Sequence, residues 1–183
     1  RDLKALRRVG QAPARVYLGD ARCPASVLSP ESVDAVITSP PYPNEKDCTR
    51  TTRLESVLLG FVKSRADLRA LKGNLIRSNT RNVFSGDDDD KFVCGQKTVE
   101  ELAAGIEQRQ QALGKTSGFE RLYPRVARLY FGGMTRHLAN LRPVLRPGAR
   151  LAYVLGDQAS YLRVMIRTAQ VLAELAERRN KVK

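Results

Sequence analysis

Apolar residues in this chain form three short runs and several longer periodic stretches. The short runs cover residues 15–20, 33–38 and 151–157, and each is rich in Val, Ile, Leu or Tyr. Such residues pack well inside a sheet, so each run predicts a strand, and the second and third predict buried strands. A short helix predicted over residues 24–32 separates the first two strands. This order predicts neighbouring parallel strands with a right-handed crossover, and thus an α/β fold.

Periodic apolar positions predict helices in much of the remaining chain. The predicted helices cover residues 3–8, 54–61, 99–106, 123–141 and 161–178. Four residues of the second helix recur at helical spacing and should face the core. They are Leu54, Val57, Leu58 and Phe61. His137 lies on the apolar stripe of the fourth helix, where we expect a hydrogen-bonded core or boundary residue rather than a catalyst. An Arg-Pro-Gly turn at residues 146–148 should end this element before the next strand.

The strand at residues 33–38 runs directly into the loop Ser39-Pro40-Pro41-Tyr42. Pro40 removes a backbone donor and ends the ladder of sheet hydrogen bonds, and Pro41 fixes a second φ angle. The loop is therefore stiff, and it follows the carboxyl end of a strand, where open α/β sheets bind their ligands. The simpler alternative is that two prolines end a strand in an ordinary loop.

Ser39, Pro40 and Tyr42 suit the binding of a planar base that carries an exocyclic amine. The Ser39 hydroxyl and the Pro40 carbonyl can accept hydrogen bonds from that amine, which lets the nitrogen lone pair point toward an electrophile. Tyr42 offers a ring on which the base can stack, and base–aromatic stacking is worth roughly 1–3 kcal/mol. Because a base stacked inside a duplex cannot reach such a pocket, the target would have to be flipped out.

The Thr-Ser-Pro-Pro-Tyr sequence at residues 38–42 resembles the catalytic motif of the amino-methylating DNA methyltransferases. In that motif, Asp, Asn or Ser precedes Pro-Pro and an aromatic residue. The resemblance extends to the strand before the motif and, more loosely, to the strand near the C-terminus. It implies a Rossmann-like, class I S-adenosylmethionine-dependent methyltransferase fold that is incomplete in this chain. The catalytic residues that it implies are Ser39, Pro40, Pro41 and Tyr42.

The same resemblance implies S-adenosyl-L-methionine as the cofactor, bound beside this loop. In these enzymes an acidic residue at the end of the preceding strand often approaches the adenine of the donor, and Asp20 matches that position. Gly19 and Thr38 would also contact the donor. For Asp20, an ordinary turn residue after a glycine is an equal alternative. The sequence contains no Gly-x-Gly turn after a strand, so we expect the donor-binding half to precede Arg1.

The first residue of the motif bears on the substrate. In the family that this motif resembles, the Ser form is commoner among cytosine-N4 enzymes and the Asp form among adenine-N6 enzymes. Ser39 therefore favours cytosine N4 as the methylated atom. Related Pro-Pro-Tyr loops methylate RNA bases or protein glutamine, usually with Asn in the first position. A catalytically silent nucleic-acid-binding fragment is the third interpretation.

Four residues after the motif are close enough to it to line the base pocket or to bind a phosphate. They are Asn44, Asp47, Arg50 and Arg53. The two arginines could equally be solvated charges on a helix.

The periodic pattern weakens over residues 63–118, which we interpret as an insertion that could recognise the target. Residues 1–62 and 119–183 would then form the catalytic domain. The acidic run at residues 87–90 should be a solvated loop or the start of a helix, because adjacent carboxylates repel and favour water.

Charge points to a polyanionic partner, since 32 Lys and Arg residues against 19 Asp and Glu give a net charge of +13. Basic side chains near phosphates supply most non-specific affinity for nucleic acids, so we expect DNA as the partner. Cys23, Cys48 and Cys94 are far apart and lack CxxC spacing, which predicts no zinc site and no disulfide framework. With no long apolar run and no signal segment, we expect a cytoplasmic protein without a membrane partner.

Overall fold

The computed structural model describes residues 13–181, with side chains up to residue 178. Its α-helices are α1 (Cys48–Thr51), α2 (Arg53–Leu58), α3 (Arg65–Gly73), α4 (Lys97–Ala112), α5 (Tyr123–Leu141) and α6 (Thr168–Lys181). Its strands are β1 (Val33–Thr38), β2 (Leu145–Tyr153), β3 (Gln158–Ser160) and β4 (Val164–Ile166). Short 3₁₀ helices cover Pro24–Ser26, Thr80–Asn82, Asp89–Val93, Glu120–Leu122 and Arg142–Val144. The helix predicted at residues 3–8 lies outside the described residues.

Strands β1 and β2 form a parallel pair, with Val36 opposite Leu151 and Thr38 opposite Tyr153. Strands β3 and β4 form a separate antiparallel hairpin. The connection from β1 to β2 carries helices α1 to α5, and a parallel pair requires such a long crossover. This mixture of helices and strands agrees with the predicted α/β fold. A Rossmann-like arrangement stays a prediction.

The hydrophobic core lies between helices α4, α5 and α6. Helix α5 supplies the largest share, namely Tyr123, Val126, Ala127, Leu129, Tyr130, Phe131, Met134 and Leu141. The buried apolar residues of α4 are Val99, Ala103 and Ile106. Each fully buried large side chain stabilises the fold by roughly 1.5–3 kcal/mol. The helices predicted at residues 99–106 and 123–141 are thus confirmed. In the described part of the chain, no helix has the length and apolarity needed to cross a membrane.

His137 lies at the boundary of this core, as predicted, with both ring nitrogens hydrogen-bonded. Its Nδ1 is 2.6 Å from the carbonyl oxygen of Ala21, and its Nε2 is 2.6 Å from the Tyr153 hydroxyl. A carbonyl can only accept, so Nδ1 carries the proton and Nε2 accepts from the tyrosine. His137 therefore links α5 to Tyr153 in β2 and to the loop at Ala21.

The strand predicted at residues 15–20 does not form. This segment has no sheet pairing, and the side chains of Val16 and Leu18 are 98% and 95% exposed. A strand needs a neighbour, and β1 takes β2 as its parallel partner among the described residues. The predicted crossover between strands 15–20 and 33–38 is therefore wrong. The helix predicted over residues 24–32 is limited to the 3₁₀ turn Pro24–Ser26.

The apolar residues predicted to face the core from the helix at residues 54–61 are exposed instead. They are Leu54, Val57, Leu58 and Phe61. Helix α2 contains no buried residue, because it packs against no other layer of the described chain. Helical spacing defined a correct apolar face but could not show what would cover it.

The helix predicted over residues 161–178 begins only at Thr168. The residues before it form the β3–β4 hairpin, whose turn places Tyr161, Leu162 and Arg163 at φ values of 34°, 65° and 64°. Burial of Tyr161, whose hydroxyl donates to the Ser78 carbonyl at 2.8 Å, favours this turn over the first helical turn. Val164 and Ile166 then face inward with the period of a strand.

Strand β2 also differs from the prediction of a buried strand at residues 151–157. It starts at Leu145 and ends at Tyr153, and most of its residues are exposed. The predicted Arg-Pro-Gly turn lies inside the strand as an irregularity in its register, with Gly148 at a φ of 80°. Glycine adopts this positive φ without strain, so Gly148 allows the irregularity. Regular pairing with β1 resumes at Arg150, opposite Ala35.

The acidic run at residues 87–90 contains the start of the 3₁₀ helix Asp89–Val93, one of the two predicted outcomes, and Asp87 and Asp89 are paired with arginines rather than solvated. Asp89 is buried and pairs with two arginines, at 2.6 Å to Arg22 and 3.0 Å to Arg136. Asp87 pairs with Arg77 at 2.7 Å. Paired carboxylates can be buried where unpaired ones cannot. The run therefore joins distant segments of the chain.

Candidate functional site

Ser39 lies at the carboxyl end of the β1–β2 pair, where sheet pairing stops. The last sheet-like bond runs from the Val154 amide to the Thr38 carbonyl at 2.8 Å. The Ser39 hydroxyl is exposed and donates to the Val154 carbonyl at 3.2 Å. Because this bond uses the hydroxyl proton, the oxygen is left to accept hydrogen bonds from a ligand.

Tyr42 packs back against the segment that follows β2. Its hydroxyl is 3.4 Å from Ser39 Oγ, and its ring lies beside Gly156, 3.9 Å from where a Cβ would be. The next residues add a second tie, since Asn44 Nδ2 donates to Gln158 Oε1 at 2.9 Å. The loop after β1 and the segment after β2 are thus held together.

A cleft of about 390 Å³ opens beside Ser39, and we refer to it as the Ser39 cleft. Its lining residues are Gly19, Asp20, Ala21, Ser39, Pro41, Cys48, Asn74, Leu75, Ile76, Ser78, Asn79 and Asn82. Four predicted site residues therefore meet here, and they are Gly19, Asp20, Ser39 and Pro41. Thr38, Pro40 and Tyr42 are not among the lining residues. The volume falls in the range of about 300–1,000 Å³ typical of small-molecule sites.

Asp20 is held at the edge of the Ser39 cleft by Arg22. The carboxylate accepts from the Arg22 backbone amide at 2.8 Å and from the guanidinium at 2.8–3.1 Å. Burial alone would raise the pKa of Asp20, but hydrogen bonds from Arg22 outweigh it and the pKa is lowered. Arg22 is itself fixed by buried Asp89. Asp20 thus stays ionised and bonded to Arg22, and its contact with a methyl donor stays a prediction.

The four residues predicted around the motif have different surroundings. Asn44 is bonded to Gln158, as described above. Asp47 is buried, accepts from the Thr49 amide at 3.1 Å as the N-cap of α1, and pairs with Lys72 at 2.9 Å. Arg50 and Arg53 are exposed. A structural role is therefore visible for Asp47, whereas the two arginines are open to solvent and to ligands.

Arg50 lines a second, shallower cleft of about 450 Å³ with Lys46 and Arg81, and the acidic residues Glu45 and Asp47 also line it. We refer to it as the basic cleft. Cys48 lines both clefts, so the two adjoin. Arg81 Nη1 donates to the Glu45 carbonyl at 3.3 Å, which keeps its guanidinium near the loop. Three basic side chains therefore flank the Ser39 cleft on one side.

Residues 74–82 form one wall of the Ser39 cleft. The sequence indicated possible target recognition for residues 63–118 as a whole but did not place this segment beside Ser39. This segment holds the buried polar residues Ser78, Asn79, Thr80 and Asn82. Glu45 fixes it by accepting from the Thr80 hydroxyl at 2.9 Å and from the Thr80 amide at 3.2 Å. The one available signal was the density of Asn, Ser and Thr between Asn74 and Asn82, which composition alone marks as a loop.

No candidate metal centre appears in the part of the chain that the structure describes, because no three His, Cys, Asp or Glu residues converge there. Cys23, Cys48 and Cys94 form no disulfide.

The chain resembles known methyltransferases in sequence. It is 26% identical over 149 residues to the Type II methyltransferase M.AvaI of Nostoc sp. (strain PCC 7120 / SAG 25.82 / UTEX 2576), and equally to that of Anabaena variabilis. The alignment covers 79% of this chain and 30% of each relative, so the chain spans about a third of their length. No family model and no solved structure matches the chain. The similarity supports a methyltransferase family for this chain.

Proposed function

We propose that this chain supplies the base-holding cleft of an S-adenosylmethionine-dependent DNA methyltransferase. Its target would be the exocyclic amine of a flipped base, with cytosine N4 favoured over adenine N6. The observation that carries the proposal is the exposed Ser39 hydroxyl in a cleft at the carboxyl end of a parallel strand pair. Sequence similarity to a Type II methyltransferase supports methyl transfer as the reaction.

Ser39 presents the hydrogen-bond acceptor that an amine N–H requires. Its proton is engaged by the Val154 carbonyl, so its oxygen can accept one N–H of the target amine. A second acceptor would engage the other N–H, and we assign this role to the Pro40 carbonyl. With both hydrogens held, the nitrogen lone pair can point away from the base plane. When bound, S-adenosylmethionine would supply the electrophilic methyl group: the new N–C bond would form as the sulfonium S–C bond breaks, S-adenosylhomocysteine would leave, and the methylated amine would lose one N–H proton to solvent.

Tyr42 is the aromatic member of the motif, and we propose that it stacks on the target base. In this structure its ring packs beside Gly156, so stacking would use the ring face that this contact leaves accessible. Its hydroxyl lies 3.4 Å from Ser39 Oγ, which ties the ring to the serine. Stacking of this kind needs no base-specific contact, since every base has a π face.

The residues that line the Ser39 cleft fit a methyl donor in part. Gly19 and Asp20 line the same cleft as Ser39, so two of the three predicted donor residues are near the serine that we propose as the amine acceptor. The Thr38 carbonyl is occupied by the Val154 amide. Asp20 remains ionised, which suits a hydroxyl or amine donor on a ligand.

The basic cleft suits the phosphates that flank a flipped nucleotide. Lys46, Arg50 and Arg81 line it, and it adjoins the Ser39 cleft through Cys48. Two carboxylates also line it, but Glu45 accepts from Thr80 and Asp47 is paired with Lys72. Phosphate contacts position a nucleic acid without reading its sequence. We therefore assign DNA backbone binding to this cleft, in agreement with the net charge of +13.

Methyl transfer from labelled S-adenosylmethionine to DNA by the full-length protein tests the proposal. Ser39→Ala should slow transfer about 10- to 100-fold, because a hydrogen bond to a group that gains charge is worth roughly 1.5–3 kcal/mol. Ser29→Ala, at an exposed serine near the other end of β1, is the matched control and should keep full activity.

Analysis of the labelled nucleoside separates the possible products. N4-methylcytosine supports the proposal as stated, and N6-methyladenine corrects the base. Label in RNA or protein, or equal transfer by Ser39→Ala and wild type, contradicts it. DNA binding without any transfer favours the silent nucleic-acid-binding alternative.

A further inference from the structure

Glu45 connects the loop after β1 to the wall of the Ser39 cleft formed by residues 74–82. Its Oε2 accepts from the Thr80 hydroxyl at 2.9 Å, and its Oε1 accepts from the Thr80 amide at 3.2 Å. Thr80 is 6% exposed and begins the 3₁₀ helix Thr80–Asn82. Because the two oxygens of one carboxylate bind two groups of one buried residue, the contact fixes orientation as well as distance.

The Glu45 end of this contact is anchored to the motif that carries Ser39. Glu45 lies three residues after Tyr42, the last residue of the motif. Between them, Asn44 is hydrogen-bonded to Gln158 at 2.9 Å. The backbone at Glu45 is therefore fixed relative to the motif, and a shift of Thr80 would be opposed by the loop that holds Ser39.

The Thr80 end of the contact is anchored to the cleft. Ser78 and Asn79, which directly precede Thr80, both line the Ser39 cleft. The Tyr161 hydroxyl donates to the Ser78 carbonyl at 2.8 Å and holds this wall to the helical core. In the described chain, Glu45 is the one side chain of residues 39–46 that hydrogen-bonds to the wall.

We propose that Glu45 is a positioning residue for methyl transfer, an inference that rests on the proposed function. Through Thr80, it sets the separation between Ser39 and the wall at residues 74–82. A base bound at Ser39 would lie between these two surfaces, so their separation determines where the amine nitrogen meets the methyl group. A misplacement of about 1 Å can slow a reaction about 100-fold, because the reacting atoms must approach to about 3–3.5 Å in line.

Glu45 lies outside the set of residues that line the Ser39 cleft, so we assign it no contact with the reacting atoms. It does line the basic cleft, where a carboxylate opposes the approach of a phosphate. Removing the carboxylate should therefore not weaken DNA binding. This separates positioning, which acts on kcat, from binding, which acts on KM.

Glu45→Ala in the full-length protein should lower kcat about 10- to 100-fold and leave the KM for DNA and the S-adenosylhomocysteine affinity within about threefold. The near-isosteric Thr80→Val, which removes only the hydroxyl bond, should lower kcat about 3- to 10-fold. Thr80→Ser keeps the hydroxyl and should keep kcat. The double variant Glu45→Ala/Thr80→Val should be no slower than Glu45→Ala, because the two changes remove one shared contact.

Glu174→Ala is the matched control. Glu174 Oε2 accepts from the Thr98 hydroxyl at 2.6 Å, between helices α4 and α6 rather than at the cleft. This variant loses the same kind of Thr–Glu hydrogen bond, so it should lower the melting temperature by a similar amount and leave kcat unchanged. Melting temperatures of all the variants are measured beside methyl transfer from labelled S-adenosylmethionine to DNA.

The outcomes separate this inference from the proposed function. Wild-type kcat in both Glu45→Ala and Thr80→Val overturns the inference and leaves the proposed function standing. A raised KM for DNA with unchanged kcat also overturns it, because Glu45 would then act in DNA binding. Multiplicative losses in the double variant exclude Thr80 as the partner and overturn it as well. Absence of transfer by the wild type refutes the proposed function and this inference together.

Discussion

Gly132 is the point at which the helical core contacts the segment that holds Arg22. Its ideal Cβ would lie 1.9 Å from the backbone oxygen of Asp89 and 2.5 Å from its carbonyl carbon. Real side chains never approach backbone atoms so closely, so Gly132→Ala must push the 3₁₀ helix Asp89–Val93 away from α5. Asp89 makes the ion pairs to Arg22 and Arg136, so the same shift lengthens both of them.

Three effects determine the change in the free energy of unfolding, two of them destabilising and one stabilising. Inserting a methyl group into a packed interface costs about 1–3 kcal/mol. Weakening a buried ion pair adds up to about 3–5 kcal/mol if the pair breaks fully. Replacing glycine inside a helix returns about 1 kcal/mol. We expect Gly132→Ala to lower the free energy of unfolding by about 2–4 kcal/mol.

Gly105→Ala in α4 is the matched control, because nothing lies within 4 Å of its ideal Cβ. It should raise the free energy of unfolding by about 1 kcal/mol through helix propensity alone. Urea unfolding followed by circular dichroism measures both. With a slope of about 2 kcal/mol/M, the midpoints of the two variants should differ by about 1.5–2.5 M. Equal midpoints, or a higher one for Gly132→Ala, would refute the close approach of α5 to Asp89.

Two further changes test the ties around the site. Burial alone would raise the pKa of Asp47, but hydrogen bonds from Lys72 and Thr49 outweigh it and lower the pKa. The ionised carboxylate therefore stabilises the fold above about pH 4, and this stabilisation is lost as the pH falls through the lowered pKa. Asp47→Asn should therefore have a lower free energy of unfolding than the wild type at pH 7, and that free energy should fall less between pH 5 and pH 3. Urea titrations at each pH measure both, and an equal fall in the two proteins would contradict the pairing. Tyr153→Phe removes the bond to His137 and should cost about 1 kcal/mol in the same assay, while an unchanged midpoint would argue against that bond.

The helical core could be predicted from the sequence because periodicity and burial coincide there. Val126, Tyr130 and Met134 recur along α5 at a spacing that places them on one face, and other helices cover that face. The pattern at residues 99–106 succeeds for the same reason. By contrast, Leu54 and Phe61 show an equally clear helical spacing and are exposed. Periodicity states which face is apolar, and only the tertiary fold decides whether another element covers it.

Strands were predicted less well because a strand depends on a partner that local sequence does not reveal. Val33–Thr38 is a strand because β2 supplies hydrogen bonds from more than 100 residues away. Val16 and Leu18 have the same β propensity and remain unpaired in the described chain. At residues 161–166 the inward positions also fit a helix, and burial of Tyr161 together with the β3–β4 pairing decided for the hairpin.

The candidate site could be predicted only where its residues are local. Ser39 and Pro41 lie where the motif placed them, at the end of a strand and on a cleft. Asn79 and Asn82 line that cleft from a segment that Asn79 ties to Lys46 and Thr80 ties to Glu45. These contacts span more than 30 residues, and no short motif encodes them. The sequence therefore indicates the chemistry of one wall, and the fold adds the other.

The two walls of the Ser39 cleft are supported in different ways, and this difference bears on how the site would respond to change. Ser39 is held by the sheet, through the Val154 carbonyl. Asp20 is held through Arg22 and Asp89, and Asp89 is packed against Gly132 in the helical core. A change in the core should thus displace Asp20 and leave Ser39 in place. It follows that, under the proposed function, core variants such as Gly132→Ala should weaken the proposed ligand contact of Asp20 before they alter the proposed role of Ser39.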